Sequence, residues 1–445
     1  MMLPIEYSKK QKIDSHNNTS WDQSNPDSLL NDCLKIVLPY LSIVERIKIQ
    51  RVCKSWQKIS KSRCYGMHHL EINDYLFGKN PEEKSPDVKI HILNQIFSLC
   101  GCDLKSVHLN ASILTSDICR LECLKLLKKF CPYLRSIEFM FIDSDIASFL
   151  IFNFTNLKSL AITFCYKNCE LQLSGYFQSN RNLTSFSVER NDHLTGTCFL
   201  SLPESLENLS VKSCRSITHE NIAAALQKLK KLKTLTLAGN LHFIERVNII
   251  LNGIPLNSTI EKLDLTYAAV RRVKKFLDVL NFESLSNLKV LKLDGGLLCN
   301  NNTLITIAWY CKKLTDVSFS DCEQLSDRGL EIFIMSLSLE SLFISSLKIK
   351  SVEYMSSLKF VTIQRCPLLK GKTFWSLIRN SRSLTRLRIL MCRTITANFL
   401  IDLATKAHVR NELLEVQYKD VYHFIKVKIT DSRVYVLQNI NKCIF

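Results

Sequence analysis

Residues 206–214 read Leu-Glu-Asn-Leu-Ser-Val-Lys-Ser-Cys, and this phrase decides the fold. Apolar residues stand at its first, fourth and sixth positions, and cysteine stands at its ninth. The pattern returns as Leu-Lys-Ser-Leu-Ala-Ile-Thr-Phe-Cys at residues 157–165 and as Leu-Thr-Arg-Leu-Arg-Ile-Leu-Met-Cys at residues 384–392. A unit of this size is too small to bury its own apolar face, so successive copies are expected to stack into one continuous core.

The first apolar position of the phrase recurs along the chain at a period of about 25 residues, which is typical of leucine-rich repeats. The thirteen positions are Leu104, Leu134, Leu157, Leu183, Leu206, Leu232, Ile260, Leu288, Leu314, Leu339, Leu358, Leu384 and Leu413. Cysteine or asparagine recurs at the ninth position, in Cys165, Asn191, Cys214, Asn240, Cys322, Cys366 and Cys392. Because a buried thiol or amide can satisfy the backbone where the chain leaves a strand, we expect these side chains in the core.

The repeat predicts an α/β fold, a curved solenoid with parallel strands on its concave face and helices on its convex face. Residues 67–72 are expected to form a first strand before the full repeats. Residues 222–229 and 330–337 have the apolar spacing of helices between strands. The interval from Leu339 to Leu358 is shorter than the others and has no room for a full helix, which predicts a local change of curvature.

Four regions follow from these patterns. Residues 1–26 are polar and are predicted to be a disordered tail. A short helical segment is expected over residues 27–64, and the solenoid over residues 65–420. Residues 424–437 alternate apolar and polar side chains around a polar turn, so we expect residues 421–445 to form a hairpin that caps the last repeat.

Composition indicates the cellular compartment of the protein and the kind of partner it binds. No apolar run approaches the ~18 residues that cross a bilayer, and the polar N-terminus lacks the apolar core of a signal peptide. We therefore expect a cytoplasmic or nuclear protein whose 18 cysteines are reduced thiols. The formal charge of +18 favours acidic partners or nucleic acid.

Patterns typical of catalysis are missing from the sequence. There is neither a phosphate-binding loop nor a Gly-x-Ser-x-Gly phrase, and the close cysteine pairs lack a second pair at zinc spacing. We therefore expect a protein that is not an enzyme and that holds neither a cofactor nor a metal ion.

Residues 28–62 lack the repeat but have apolar side chains at helical spacing. These are Cys33, Leu34, Val37, Leu38 and Leu41, followed by Ile47, Val52, Cys53, Trp56 and Ile59. A segment of about 35 residues is too short for an independent core, so it should pack against the solenoid or against a partner.

This segment resembles the F-box. The residues that carry the resemblance are Tyr40 and Leu41 at the end of the first helix and Arg-Val-Cys-Lys-Ser-Trp at residues 51–56. Leu29 and Leu30 stand where the F-box has Leu-Pro. The repeats resemble the cysteine-containing subclass of leucine-rich repeats, on Cys311, Leu314, Val317, Phe319, Cys322, Leu325, Ser326, Asp327, Gly329 and Leu330. Together the two resemblances cover about residues 28–420.

The resemblance implies a substrate-recognition subunit of an SCF-type ubiquitin ligase. In such proteins the F-box binds a Skp-type adaptor, which is attached to a cullin, and the repeats bind the protein to be ubiquitinated. The residues that it implies for adaptor contact are Leu29, Leu30, Leu34, Val37, Leu38, Val52 and Trp56. The alternative for each is packing on the N-terminal end of the solenoid.

Substrate candidates come from alternation along the strands, which places the residues between core positions on the concave face. Early repeats have small polar residues there, whereas the last repeats have Phe343, Phe360, Arg365, Arg386 and Arg388. Exposed aromatic side chains beside arginines favour a binding hot spot, and the arginines suit an acidic or phosphorylated degron. The alternative is that the C-terminal hairpin covers Phe343 or Phe360.

Two other functions stay open at the sequence level. The chain could be an interaction scaffold whose F-box works outside an SCF complex. It could also bind nucleic acid through its positive charge, although it has no recognised reading motif.

Overall fold

The computed structural model describes residues 32–34, 36–62, 67–78, 80–110, 117–165, 169–240, 246–266, 279–294, 299–352, 357–395, 399, 414–419, 424–429 and 434–438. The predicted tail at residues 1–26 and the candidates Leu29 and Leu30 lie outside the described residues. The chain divides into two compact units, Met1–Met67 and His68–Phe445.

The second unit is built on a sheet whose sixteen described strands are hydrogen-bonded in chain order. They are β1 (His69–Ile72), β2 (Ser106–Leu109), β3 (Ser136–Ile142), β4 (Ser159–Cys165), β5 (Ser185–Glu189), β6 (Asn208–Lys212), β7 (Thr234–Thr236), β8 (Lys262–Asp264), β9 (Val290–Asp294), β10 (Asp316–Ser320), β11 (Ser341–Ser345), β12 (Phe360–Gln364), β13 (Arg386–Leu390), β14 (Leu414–Lys419), β15 (Phe424–Ile429) and β16 (Val434–Gln438). Strands β1 to β14 pair in parallel, and β15 and β16 continue the sheet antiparallel. The predicted α/β solenoid is confirmed.

Helices follow most strands and pack side by side on one face of the sheet. In this unit the described α-helices are α3 (Pro86–Cys100), α4 (Asp117–Phe130), α5 (Ser144–Asn153), α6 (Glu170–Ser179), α7 (His219–Leu226), α8 (Val247–Asn252), α9 (Asn301–Tyr310), α10 (Asp327–Met335) and α11 (Gly371–Asn380), and the 3₁₀ helices are Asp74–Phe77, Pro81–Glu83, Gly101–Asp103 and Thr197–Ser201. Packed helices lie about 8–10 Å apart, whereas paired strands lie about 4.8 Å apart. A stack of such units therefore curves, with the strands on its concave face.

The core lies between the sheet and the helices, at the positions that the phrase predicts. Leu206, Leu209 and Val211, the first, fourth and sixth residues of one phrase, are fully buried. Larger side chains join one repeat to the next: the ring of Phe186 lies edge-on to Phe177 at 4.9 Å and to Phe199 at 5.9 Å. Each such buried side chain stabilises the fold by about 1.5–3 kcal/mol.

A left-handed residue lies just after the strand in seven described repeats. The residues with φ between 49° and 72° at this position are Arg190, Ser213, Gly239, Asp321, Ser346, Arg365 and Met391. Each donates its backbone N–H to a carbonyl of the next repeat, as Ser213 does to Ala238 at 2.9 Å. At Gly239 a β-carbon would lie 2.5 Å from the Ser213 hydroxyl, so a larger residue there would require that hydroxyl to move.

The ninth position of the phrase satisfies the backbone at this turn, as predicted. The Asn240 side chain accepts the N–H of Cys214 at 2.7 Å and donates to the carbonyls of Val211 at 2.7 Å and Leu237 at 3.0 Å. Asn191 accepts the N–H of Cys165 at 2.9 Å in the same way. At Cys214, Cys322 and Cys392 the thiol donates to a carbonyl of the preceding repeat, as Cys322 does to Leu293 at 3.4 Å.

The short interval between β11 and β12 is filled without a described helix. Leu347, Ile349 and Val352 are buried where other repeats bury a helix face. The N–H of Lys350 donates to the Asp327 carboxylate of α10 at 2.8 Å, which ties this segment to the preceding repeat.

The first unit consists of short helices. Residues 32–34 and 36–37 are helical, and they are followed by a 3₁₀ helix (Leu38–Tyr40), α1 (Ile43–Ile49) and α2 (Lys54–Ser62). Ser42 and Glu45 form a capping box at the start of α1, and hydrogen bonds from Ser42 hold the pKa of Glu45 below its ordinary value. The Ser60 hydroxyl donates to the Arg46 carbonyl at 3.1 Å and so joins α2 to α1.

Asn240→Ala should lower the free energy of unfolding by about 1–3 kcal/mol, because it leaves buried backbone groups of two repeats unsatisfied. Asn208→Ala on the exposed face of β6 is the matched control and should change stability by less than about 0.5 kcal/mol. Urea unfolding of the full chain measures both. Equal stability of the two variants would contradict the role assigned to Asn240.

Cysteine reactivity should separate buried thiols from exposed ones. Burial raises the pKa of Cys214, Cys311 and Cys366 to about 12, so almost no thiolate is present at neutral pH. Among the described cysteines, those exposed are Cys33, Cys53 and Cys102. Iodoacetamide should modify these three in the folded protein and the buried ones only in denaturant, as mapped by mass spectrometry. Rapid native labelling of Cys214 would contradict the predicted core.

Candidate functional site

The strand face of the last repeats presents two rows of side chains, each running across neighbouring strands in register. The first row is Asp316, Ser341, Phe360, Arg386 and Glu415. The second row, two residues further along each strand, is Ser318, Phe343, Thr362, Arg388 and Gln417. These rows place the predicted substrate residues relative to one another.

Phe360 and Arg386 are neighbours on consecutive strands, as the sequence predicts. The Arg386 guanidinium carbon lies 5.5 Å from the centre of the Phe360 ring, which is within cation–π distance. On its other side, Arg386 Nε lies 3.7 Å from Glu415 Oε1. Arg386 therefore lies between a ring and a carboxylate, and that carboxylate lowers its attraction for another anion.

Arg388 has a neutral partner. Its Nε donates to Gln417 Oε1 at 3.0 Å, and the Gln417 amide also contacts the Glu415 carboxylate. Arg388 is exposed, and its partner, the Gln417 amide, is uncharged. An incoming carboxylate or phosphate binds a guanidinium more strongly than an amide does and can therefore displace it. Of the two arginines, Arg388 is the better placed to bind an anion.

The aromatic residues differ in exposure. Phe360 is 43% exposed and is therefore not covered, whereas Phe343 is half-buried in the second row. Strands β15 and β16 extend the sheet beyond β14 through pairs such as Glu415 with Lys428. The hairpin thus continues the sheet edge and leaves Phe360 accessible.

Arg365 is not brought together with the other candidates in either row. It directly follows β12, has a φ of 49°, and donates its N–H to the Leu390 carbonyl at 2.9 Å. Its backbone thus adopts the left-handed conformation found at this position in seven described repeats. The sequence does not reveal this, because arginine is an uncommon residue for that conformation.

The predicted adaptor residues divide by exposure in the first unit. Val37 is 48% exposed and Val52 is 61% exposed, while Trp56 is half-buried. Leu34 and Leu38 are 6% and 1% exposed, so their side chains are inside rather than on a surface.

Two further exposed apolar residues of this unit were not assigned to adaptor contact from the sequence, although Tyr40 is among those that carry the resemblance. Ile36 is 69% exposed and Tyr40 is 87% exposed, beside the exposed Val37. Exposed apolar side chains in such a cluster are typical of protein interaction sites. The sequence offered a signal for both, since Tyr40 carries the resemblance and Ile36 directly precedes the predicted contact residue Val37.

A cavity on the helical side of the sheet was also missed. It is an open groove of about 370 Å³ between α9 and α10, and exposed Ile305, Trp309 and Ile332 line it. Ile305 and Trp309 are four residues apart on α9, so helical periodicity could have indicated this face.

Among the described residues, no group of three or more His, Cys, Asp and Glu side chains is arranged to hold a metal ion. No helix there is long and apolar enough to cross a bilayer.

Comparison with known proteins adds one distant likeness. A scan against protein-family models and a search of curated proteins both find no match. Among solved structures, the chain is similar to one titled "Crystal structure of Rad7 and Elc1 complex in yeast". The identity is 14%, the TM-score is 0.41, and the match covers 83% of this chain and 90% of that chain. A likeness this distant has no bearing on function, and the fold rests on the strand pairing described above.

Proposed function

We propose that the protein is a non-catalytic substrate receptor of an SCF-type ubiquitin ligase, acting in the cytoplasm or the nucleus. The observation that carries the proposal is the exposed apolar cluster of the F-box-like unit, followed along the chain by a leucine-rich solenoid with an exposed Phe360–Arg386 pair. One region recruits the ligase and the other selects the protein to be modified.

Adaptor contact is assigned to Ile36, Val37, Tyr40, Val52 and Trp56. Each of these side chains gains less than the about 1.5–3 kcal/mol of full burial when a partner covers it, because part of its surface is already covered. Trp56 is of the residue type enriched at the centre of binding hot spots. Leu34 and Leu38 are buried and are therefore not assigned to this surface.

The substrate surface is assigned to Phe343, Phe360, Arg386 and Arg388. Phe360 offers an apolar ring, and the two arginines offer charge-assisted hydrogen bonds to a carboxylate or phosphate. This combination suits a degron with an acidic or phosphorylated residue beside an apolar one. Arg365 contributes positive charge at the end of β12, outside the two rows.

Val52→Asp should lower adaptor and cullin recovery at least about fivefold, because it introduces a charge into an apolar contact. Gln57→Asp, also exposed in the first unit, adds the same charge and should leave recovery unchanged. Affinity purification of the full chain with quantitative mass spectrometry measures both. Unchanged adaptor recovery with Val52→Asp would sink the adaptor assignment. Recovery of the adaptor without a cullin would favour the alternative, a scaffold outside an SCF complex.

Arg386→Glu with Arg388→Glu should remove the proteins captured by the strand face while adaptor recovery is kept. The matched control is Arg379→Glu with Arg393→Glu, which changes the net charge equally in the neighbouring helix and turn. Glu415→Gln should act in the opposite direction, because it removes the carboxylate beside Arg386. If Arg379→Glu with Arg393→Glu loses the same proteins, capture depends on net charge and the surface is misassigned.

A further inference from the structure

A continuous row of residues, here called the edge row, runs along the N-terminal ends of the parallel strands. The carbonyl of each member accepts hydrogen bonds from the next repeat, as Lys105 does from Arg135 N at 2.8 Å and Ser136 N at 3.0 Å. Its members are His68, Lys105, Arg135, Lys158, Thr184, Glu207, Lys233, Glu261, Lys289, Thr315, Glu340, Lys359 and Thr385. Consecutive members are therefore one strand spacing apart, about 4.8 Å.

From Glu207 onward, each lysine of the edge row forms an ion pair with a glutamate of the same row. Lys233 Nζ lies 2.9 Å from Glu207, Lys289 Nζ lies 3.0 Å from Glu261, and Lys359 Nζ lies 2.8 Å from Glu340. The remaining members of this part of the row are neutral threonines. Every lysine here thus has an acidic neighbour on the preceding rung.

The beginning of the row is different. Lys105, Arg135 and Lys158 stand on three consecutive rungs, all exposed, and none makes an ion pair with a described residue. Glu138, the acidic residue of β3 nearest in sequence to Arg135, contacts His108 at 3.4 Å rather than a member of the edge row. Three cations without an intervening acid repel one another and create a positive edge.

A row of serines adjoins this positive edge. Ser106, Ser136, Ser159 and Ser185 pair in register on β2 to β5 and are partly exposed. They add neutral hydrogen-bond donors beside the cations. These two rows contain no aromatic residue on β2 to β5, so they offer no platform for stacking nucleic-acid bases.

We propose that Lys105, Arg135 and Lys158 bind an acidic segment of a protein partner, whose carboxylates or phosphoryl groups lie along the edge of β2 to β4. Extended peptides place alternate side chains about 6.6–6.8 Å apart, a spacing that flexible Lys and Arg side chains on neighbouring rungs can match. Lys158, the member of the site nearest to Phe360 along the sheet, lies beside β4, eight strands before β12, so the site is separate from the proposed substrate surface. It does not depend on adaptor recruitment.

Fluorescence anisotropy with the purified full chain tests this proposal. The probe is a labelled peptide of ten glutamates, and the comparators are ten glutamines and an oligothymidine of ten nucleotides. Replacement of Lys105, Arg135 and Lys158 by Gln should weaken binding of the acidic peptide about tenfold. Replacement of Lys233, Lys289 and Lys359 by Gln changes net charge equally at paired positions, and should change affinity less than about twofold.

Two additional variants keep the result interpretable. Arg135→Gln alone should weaken binding about twofold and disturbs the fold least. Arg386→Glu with Arg388→Glu removes the other surface proposed to bind acidic groups, so the peptide binding that remains in this variant should depend on Lys105, Arg135 and Lys158. The proposal is overturned if the acidic peptide does not bind, if both triple variants weaken it equally, or if oligothymidine binds as tightly through the same three residues.

Discussion

The structure depends on the hydrogen-bond ladder between parallel strands. Each strand from β2 to β14 bonds to the strand before it, and no repeat could bury its leucines without that neighbour. The ladder continues past the strand, through the left-handed residue and the Asn or Cys that follows it. At Asn240 a single amide joins the backbones of two repeats. Register is therefore held at both ends of the strand.

Register also decides which side chains act together. Phe360 and Arg386 belong to different repeats and are distant in sequence, yet they are neighbours because β12 pairs with β13 in one register. The same geometry lets Lys233 neutralise Glu207, and leaves Lys105, Arg135 and Lys158 without an acid between them. Two surfaces of different chemistry arise on one sheet: an aromatic and cationic one in the last repeats and a purely cationic one near the first.

The leucine phrase was enough to predict the strands, the core positions and the pairing of Phe360 with Arg386. It could not predict the role of Arg365, because a left-handed φ is a property of the turn and arginine does not indicate it. It also could not show which F-box-like residues are buried and which are exposed. Leu34 and Ile36 are equally apolar, but of the two only Ile36 is exposed. Neutralisation along the edge row depends on charges that lie in successive repeats, and it becomes visible only when the strands are paired.

Cross-linking across the strands tests the assigned register most directly. Opposed residues on parallel strands lie about 4.8 Å apart, within disulfide range, whereas a shift of two residues exceeds about 7 Å. Phe360→Cys with Arg386→Cys should therefore form a disulfide under mild oxidation, and Phe360→Cys with Arg388→Cys should not, as mapped by mass spectrometry. A disulfide in the second variant but not in the first would contradict the register and the binding surfaces derived from it.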